Sequence, residues 1–208
     1  MVKIDTLLNS PLKSDTNKTT YLYPMARTIS NMAALGTAAP YFKLHNTITD
    51  NQISLTEIKG EVATVIMFIC NHCPFVLHVN DELVKLANEY SNKKISFVAI
   101  SSNDVITHPD DAPDKMKATA LQKKYPFPYL YDETQEVAKA YDAACTPDFF
   151  IYDNQLHLVY RGQLDDSRPG HEIPVTGKDI RHALDCLINN QPVPDEQRPG
   201  IGCNIKWK

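Results

Sequence analysis

No stretch of this 208-residue sequence is apolar for long enough to cross a bilayer. The longest run, Val62 to Cys70, is broken by Thr64 and falls far short of the roughly 20 residues that a spanning helix needs. The charged, then apolar, then small-residue order of a secretory leader is missing as well, because Lys13, Asp15 and Lys18 break up a polar N-terminus. The expected compartment is therefore the cytoplasm. A basic excess is also lacking: 21 Lys and Arg stand against 25 Asp and Glu, a formal charge of -4, which argues against nucleic acid as a partner. The five cysteines are odd in number and unevenly spaced, so they do not make a disulfide framework and read as thiols kept reduced and used chemically. There is no internal repeat and no low-complexity tract.

What is present is ordinary for a soluble protein, with 43% hydrophobic and 22% charged residues. The length suits one well-packed domain with extensions, since two full domains would leave both short of core. Residues 1–34 are rich in Ser, Thr, Asn and Lys and read as an N-terminal arm, loose or laid over the domain, with Met25 as a possible internal start. Residues 35–190 are patterned and form the expected domain. Residues 191–208 hold Pro192, Pro194, Pro199, Gly200 and Gly202, too breakable for a helix, yet carry Ile201, Ile205 and Trp207, which are expected to dock the tail on the domain.

Alternation over residues 40–44, a turn over Thr49 to Gln52 and Ile53-Ser54-Leu55 predict an edge hairpin. Val62 to Ile69 is β-branched without alternation, the pattern of a central strand buried on both faces. Phe75, Val79, Leu83, Leu86 and Tyr90 then recur at helical spacing after Pro74, and Ile95 to Ile100 is a second buried strand. The three make a β-α-β unit. Residues 103–128, with four prolines around a short helical patch, read as an insertion. Asp132 with Gln135 predicts a helix start, 149–152 and 156–160 a hairpin, and Thr176 with Asp179 a capping box before a final amphipathic helix. The fold expected is α/β and thioredoxin-like, a central mixed sheet flanked by helices.

The chemistry concentrates in Cys70-Asn71-His72-Cys73-Pro74, at the strand-to-helix junction. Two intervening residues let the sulfurs meet on a helix's first turn, and a Cys-x-x-Cys beside a β-α-β unit reads as a redox pair. The helix N-terminus is expected to lower the pKa of Cys70, the nucleophile, with Cys73 the resolving thiol. His72 could stabilise the Cys70 thiolate as an imidazolium, or be a solvated loop residue. A half zinc site completed by His72, His78, Cys145 or Cys203 is the competing reading, weakened because no second Cys-x-x-Cys or His-x-x-x-His accompanies it. Two inert core cysteines are another alternative. Neither metal nor organic cofactor is expected.

The run Leu35-Gly36 with Ala39 to Leu44, the Cys70–Pro74 site, Tyr129 to Ala138, Cys145 to Phe150 and Gly202 to Trp207 resemble the redoxin group of thioredoxin-like proteins. That group is related to the alkyl hydroperoxide reductase and thiol-specific antioxidant (AhpC/TSA) superfamily, and the likeness covers about residues 35–208, most specifically with a bacterial subgroup carrying Cys-Asn-His-Cys-Pro. The resemblance implies a thiol-disulfide oxidoreductase serving thiol redox homeostasis, with Pro147 a cis-proline facing the dithiol and Thr146 offering backbone groups to an extended substrate. The partners it implies are a disulfide-containing protein or small thiol and a thiol electron donor. The Pro-x-x-x-Thr-x-x-Cys pattern of the superfamily's peroxidases is absent before either cysteine, where Ala63 and Met67, or Ile66 and Cys70, stand instead. A peroxidase lacking that motif and a non-catalytic binding module remain as alternatives. Cys145, two residues before Pro147, should approach the dithiol, and Cys203 is either carried back to Cys145 or the dithiol as a further redox thiol or is a simple tail thiol beside a buried Cys145. Cys186 is read as lying off the apolar stripe and has no role. Arg161, Asp165, Asp166 and Arg168 could line the cleft, but a solvated turn is the commoner explanation for such a charge cluster, and they are left out of the site.

Overall fold

The computed structural model describes residues 27–208. The possible start at Met25 and most of the N-terminal arm lie outside the described residues. The elements in chain order are β1 (Arg27–Ile29), β2 (Lys43–Asn46), β3 (Asn51–Ser54), β4 (Ala63–Phe68), α1 (Pro74–Tyr90) and β5 (Ile95–Ser101). They continue with α2 (Pro113–Lys123), β6 (Tyr129–Tyr131), α3 (Glu136–Ala140), β7 (Cys145–Thr146), β8 (Asp148–Asp153), β9 (Leu158–Gly162), α4 (Lys178–Ile188) and β10 (Ile201–Asn204). Seven strands make one mixed sheet in the order β3-β2-β6-β5-β4-β8-β9, in which β4, β5 and β6 run parallel. A second, small sheet has the order β1-β10-β7.

Strand β4 is buried along its whole length, and its side chains alternate between two cores. Ala63, Val65 and Met67 meet Leu83 and Leu86 of α1 and Ile180 and Leu184 of α4 on one face. Ile66 and Phe68 meet Phe150, Tyr141 and Ala138 on the other. A strand packed on both faces has no solvent side, which is why its sequence shows no alternation. The edge hairpin β2–β3 and the hairpin β8–β9 stand where the pattern put them, with the first turn two residues earlier than read, at residues 47–50.

Five expectations change. The last part of the arm is strand: Arg27–Ile29 pairs antiparallel with Ile201–Asn204, so the two ends of the described chain hold each other. The helix predicted from Asp132 starts at Glu136, because Asp132 is buried and its carboxylate reaches further, accepting from the Ser102 hydroxyl at 2.8 Å and the Ala138 N–H at 2.9 Å. The capping box before α4 does not form either. Gly177 is the N-cap, and one Asp165 oxygen accepts both the Thr176 and Gly177 N–H groups at 2.6 Å. Asp165 is thus 1% exposed, and the turn read as solvated is a structural frame, with Arg161 bonded to the Ala33 carbonyl and Arg168 to Gln163. Cys186, read as off the apolar stripe, is 6% exposed, with its thiol 4.0 Å from His182 Nε2. Among the described residues no helix is long and apolar enough to cross a membrane.

Candidate active site

Strand β4 ends at Phe68, and the Ile69 N–H still bonds the Ile100 carbonyl of β5 at 2.9 Å, so the chain enters the Cys-x-x-Cys turn held to the sheet. Cys73 is the N-cap of α1, and Pro74 follows in the first turn, where its missing N–H costs no helical bond. The turn is fixed from outside by Asp111, in the 3₁₀ turn Pro109–Asp111 of the insertion. One Asp111 oxygen accepts the Asn71 N–H at 2.8 Å; the other accepts from Asn103 at 2.7 Å and lies 2.7 Å from His72 Nδ1. The His72 ring in turn stacks on His108, centroids 5.2 Å apart.

Facing the turn is the β7–β8 junction, where the Thr146–Pro147 peptide bond is cis. The Thr146 hydroxyl lies 3.4 Å from Cys70 Sγ, and its carbonyl accepts from Cys73 Sγ at 3.1 Å. Strand β10 then adds a third thiol, because its register sets Cys203 opposite Thr146. Gly202 permits this approach: a Cβ there would fall inside contact distance of the Thr146 carbonyl oxygen. Asn204, not Cys203, is the register partner of Cys145. Neighbouring residues on a strand face opposite ways, so Cys145 and Cys203 are turned apart. Cys145 is fully buried, its thiol 3.6 Å from the Pro147 carbonyl, and burial pushes its pKa up.

The electrostatics differ from the sequence expectation for Cys70. Its thiol donates to Cys73, is 2% exposed and faces the Asp111 charge, and these together hold its pKa well above the ordinary value. Cys73, at the N-cap of α1, is the thiol of the pair whose pKa is lowered, chiefly by the neighbouring Cys203 and Cys70 thiols, with burial opposing. The helix N-terminus therefore stabilises the second sulfur of the motif directly. Cys203 as donor to Cys73 is raised in turn. His72 is raised by its bond to Asp111, although burial opposes this, so it carries charge over a wider pH range than a free histidine. Its charge is committed to Asp111 rather than to Cys70.

The AhpC/TSA family profile matches residues 35–161, more than half of the sequence. The chain belongs to the AhpC/TSA family. An uncharacterized conserved protein from Geobacillus kaustophilus is similar at 62% identity over 88% of this chain and 97% of its own, with a TM-score of 0.87. A hypothetical protein from Sinorhizobium meliloti 1021 is similar at 45% identity over 87% and 98%, TM-score 0.85. The thioredoxin domain of a thiol-disulfide oxidoreductase from Bacteroides vulgatus shares the fold at 18% identity, over 62% of this chain and 89% of its own, TM-score 0.54. No curated protein matches the chain. The thioredoxin-like fold of this AhpC/TSA member is thus the one read from its sequence.

Asp111 as a metal donor and the buried Asp148 were not read from the sequence of this AhpC/TSA member, although a half zinc site completed by His72 was. Cys70 Sγ, a His72 nitrogen and an Asp111 oxygen lie within 4.8 Å of one another, a donor set that zinc accepts. Asp111 is engaged by Asn71, Asn103 and His72, so such a metal would have to displace bonds that hold the turn. Asp148, next to Pro147, is fully buried opposite Phe68, and burial pushes its carboxyl up to about 8. A raised folded pKa favours the protonated form. Its stabilising contribution is complete below the unfolded value of about 3.9 and is lost as pH rises through the folded one. Thermal stability should therefore fall between about pH 4 and about pH 8, and Asp148→Asn should flatten that fall by several degrees. An equally steep loss in the variant, followed by calorimetry, would remove Asp148 as its source.

Proposed function

We propose that this protein is a thiol-disulfide oxidoreductase acting through the Cys70–Cys73 dithiol, with a disulfide-bearing protein or small thiol as substrate, in a reducing compartment such as the cytoplasm. The observation that carries the reading is the convergence of Cys70, Cys73 and Thr146 at a strand-to-helix junction, where a thiolate is stabilised between thiol donors. Cys70 passes its proton to the Cys73 thiolate as it attacks one sulfur of the substrate disulfide. The Cys70–substrate disulfide forms, and the other substrate sulfur leaves as a thiolate and takes up a proton from water. Cys73, deprotonated again, then attacks Cys70 Sγ, closing the Cys70–Cys73 disulfide and releasing the second half of the substrate as a thiol. A thiol donor must return the two electrons. Thr146 and Pro147, on the opposite wall, are the residues against which an extended substrate would lie, and His72 with Asp111 keeps the turn in shape.

The test is a redox titration of the protein against glutathione, read by thiol trapping and mass spectrometry. Reversible loss of two hydrogens linking Cys70 to Cys73 is expected; two thiols that never pair would refute the proposal. A peroxidase is the second reading. It is favoured by the Thr146 hydroxyl 3.4 Å from Cys70 Sγ, a polar group close enough to hydrogen-bond a peroxide at that sulfur. Thiol-dependent consumption of hydrogen peroxide separates the two.

A further inference from the structure

Three sulfurs, not two, meet at Thr146, and they differ in access. Cys70 and Cys73 are 2% and 0% exposed, whereas Cys203, on the middle strand of the small sheet, is partly open to solvent. It packs on the same core cluster as the dithiol while standing opposite Thr146, whose carbonyl also receives Cys73. We propose that Cys203 is a third redox thiol, which takes over the disulfide from Cys70–Cys73 and presents it to the thiol donor at the protein surface. This inference rests on the dithiol exchange proposed above and assigns its regeneration.

The steps balance as follows. After substrate reduction the protein holds a Cys70–Cys73 disulfide and a Cys203 thiol. Cys203, as a thiolate, attacks Cys73 Sγ, forming a Cys73–Cys203 disulfide and expelling Cys70 as a thiolate, which takes up the proton Cys203 lost; no electrons enter or leave. A thiol donor then attacks Cys203 Sγ, forming a mixed disulfide and freeing Cys73. A second donor thiol attacks the donor sulfur of that mixed disulfide, so two donor thiols leave as one disulfide and Cys203 returns to its reduced form.

Chemistry and placement favour this order. In the reduced state Cys203 is held protonated chiefly by its bond to the Cys73 thiolate. Once Cys73 is in a disulfide that anion is gone, and the nearby Lys206 charge favours a Cys203 thiolate. Cys145 cannot take this part, being turned to the other face and fully buried.

The test uses the full chain. Cys70→Ser, treated with oxidised glutathione and mapped by mass spectrometry, is expected to form an intramolecular Cys73–Cys203 disulfide. In a second arm the oxidised wild type and Cys203→Ala are reduced by glutathione, and the variant is expected to be slower by about tenfold or more, because the donor must reach a buried sulfur. Cys203 remaining fully alkylatable in Cys70→Ser, or equal rates of reduction in the second arm, would overturn the proposal. Failure of the wild type to form Cys70–Cys73 at all would instead count against the oxidoreductase reading, so the two can be told apart.

Discussion

Cys70→Ser is expected to cut disulfide exchange by roughly a thousandfold or more, the scale on which loss of a covalent nucleophile acts. Cys73→Ser is expected to stop one step later, with the substrate held as a stable mixed disulfide on Cys70. The distinction is not trivial here, because the pKa of Cys73 is lowered while that of Cys70 is raised. Charge alone would nominate Cys73. Place in the motif argues otherwise: Cys73 is the N-cap of α1 with its sulfur turned to the Thr146 carbonyl, whereas Cys70 precedes the helix and is the expected first contact of a substrate disulfide. Serine at position 73 also keeps the fold, since a hydroxyl is a good N-cap for α1. Insulin reduction for activity and non-reducing mass spectrometry for the trapped species read the two variants. A mixed disulfide accumulating on Cys73 in Cys70→Ser would reverse the assignment.

The second large effect is on stability. Phe150, fully buried on β8, sits edge-on to Phe68 with centroids 5.8 Å apart and edge-on to Tyr141 at 6.0 Å. Phe150→Ala removes the ring and opens a cavity between β4, β8 and α3, at an expected cost of about 3–5 kcal/mol. A domain of this kind has roughly 5–15 kcal/mol in total, so the variant should lie close to its limit. The urea midpoint should fall sharply with little change in slope. Because Phe150 faces the core opposite α1, the Cys70–Cys73 midpoint potential of the molecules still folded should stay where it is. A loss below about 1 kcal/mol would mean that the neighbouring rings close over the space.

The parts legible in the sequence are those whose physics is local. An unbroken apolar run marks β4 because both of its faces are covered, and helical spacing after Pro74 marks α1, so the position of the Cys-x-x-Cys at their junction follows from pattern alone. Asp111 was not legible. It is one acid in a proline-rich insertion, and its meaning comes from Asn71, His72 and Asn103, which only the folded chain brings to it. Asp165 was read as a surface charge for the same reason: it caps α4 from a different segment, so no spacing near Thr176 announces it. The sequence also left the partner of Cys203 open between Cys145 and the dithiol. That choice depends on a strand register, since a shift of one residue turns a side chain to the other face.

Strand β1 has three residues and β10 four, and they come from opposite ends of the described chain. Such pairings pay their loop-closure entropy before any contact rewards it, and they form late relative to local structure such as α1 and its flanking strands. The dithiol turn can thus exist in a partly folded chain in which Cys203 is still elsewhere. The third thiol arrives only when β10 has paired with β7, and its protection from alkylation during refolding is a clock for the assembly of the small sheet, separate from the appearance of helix.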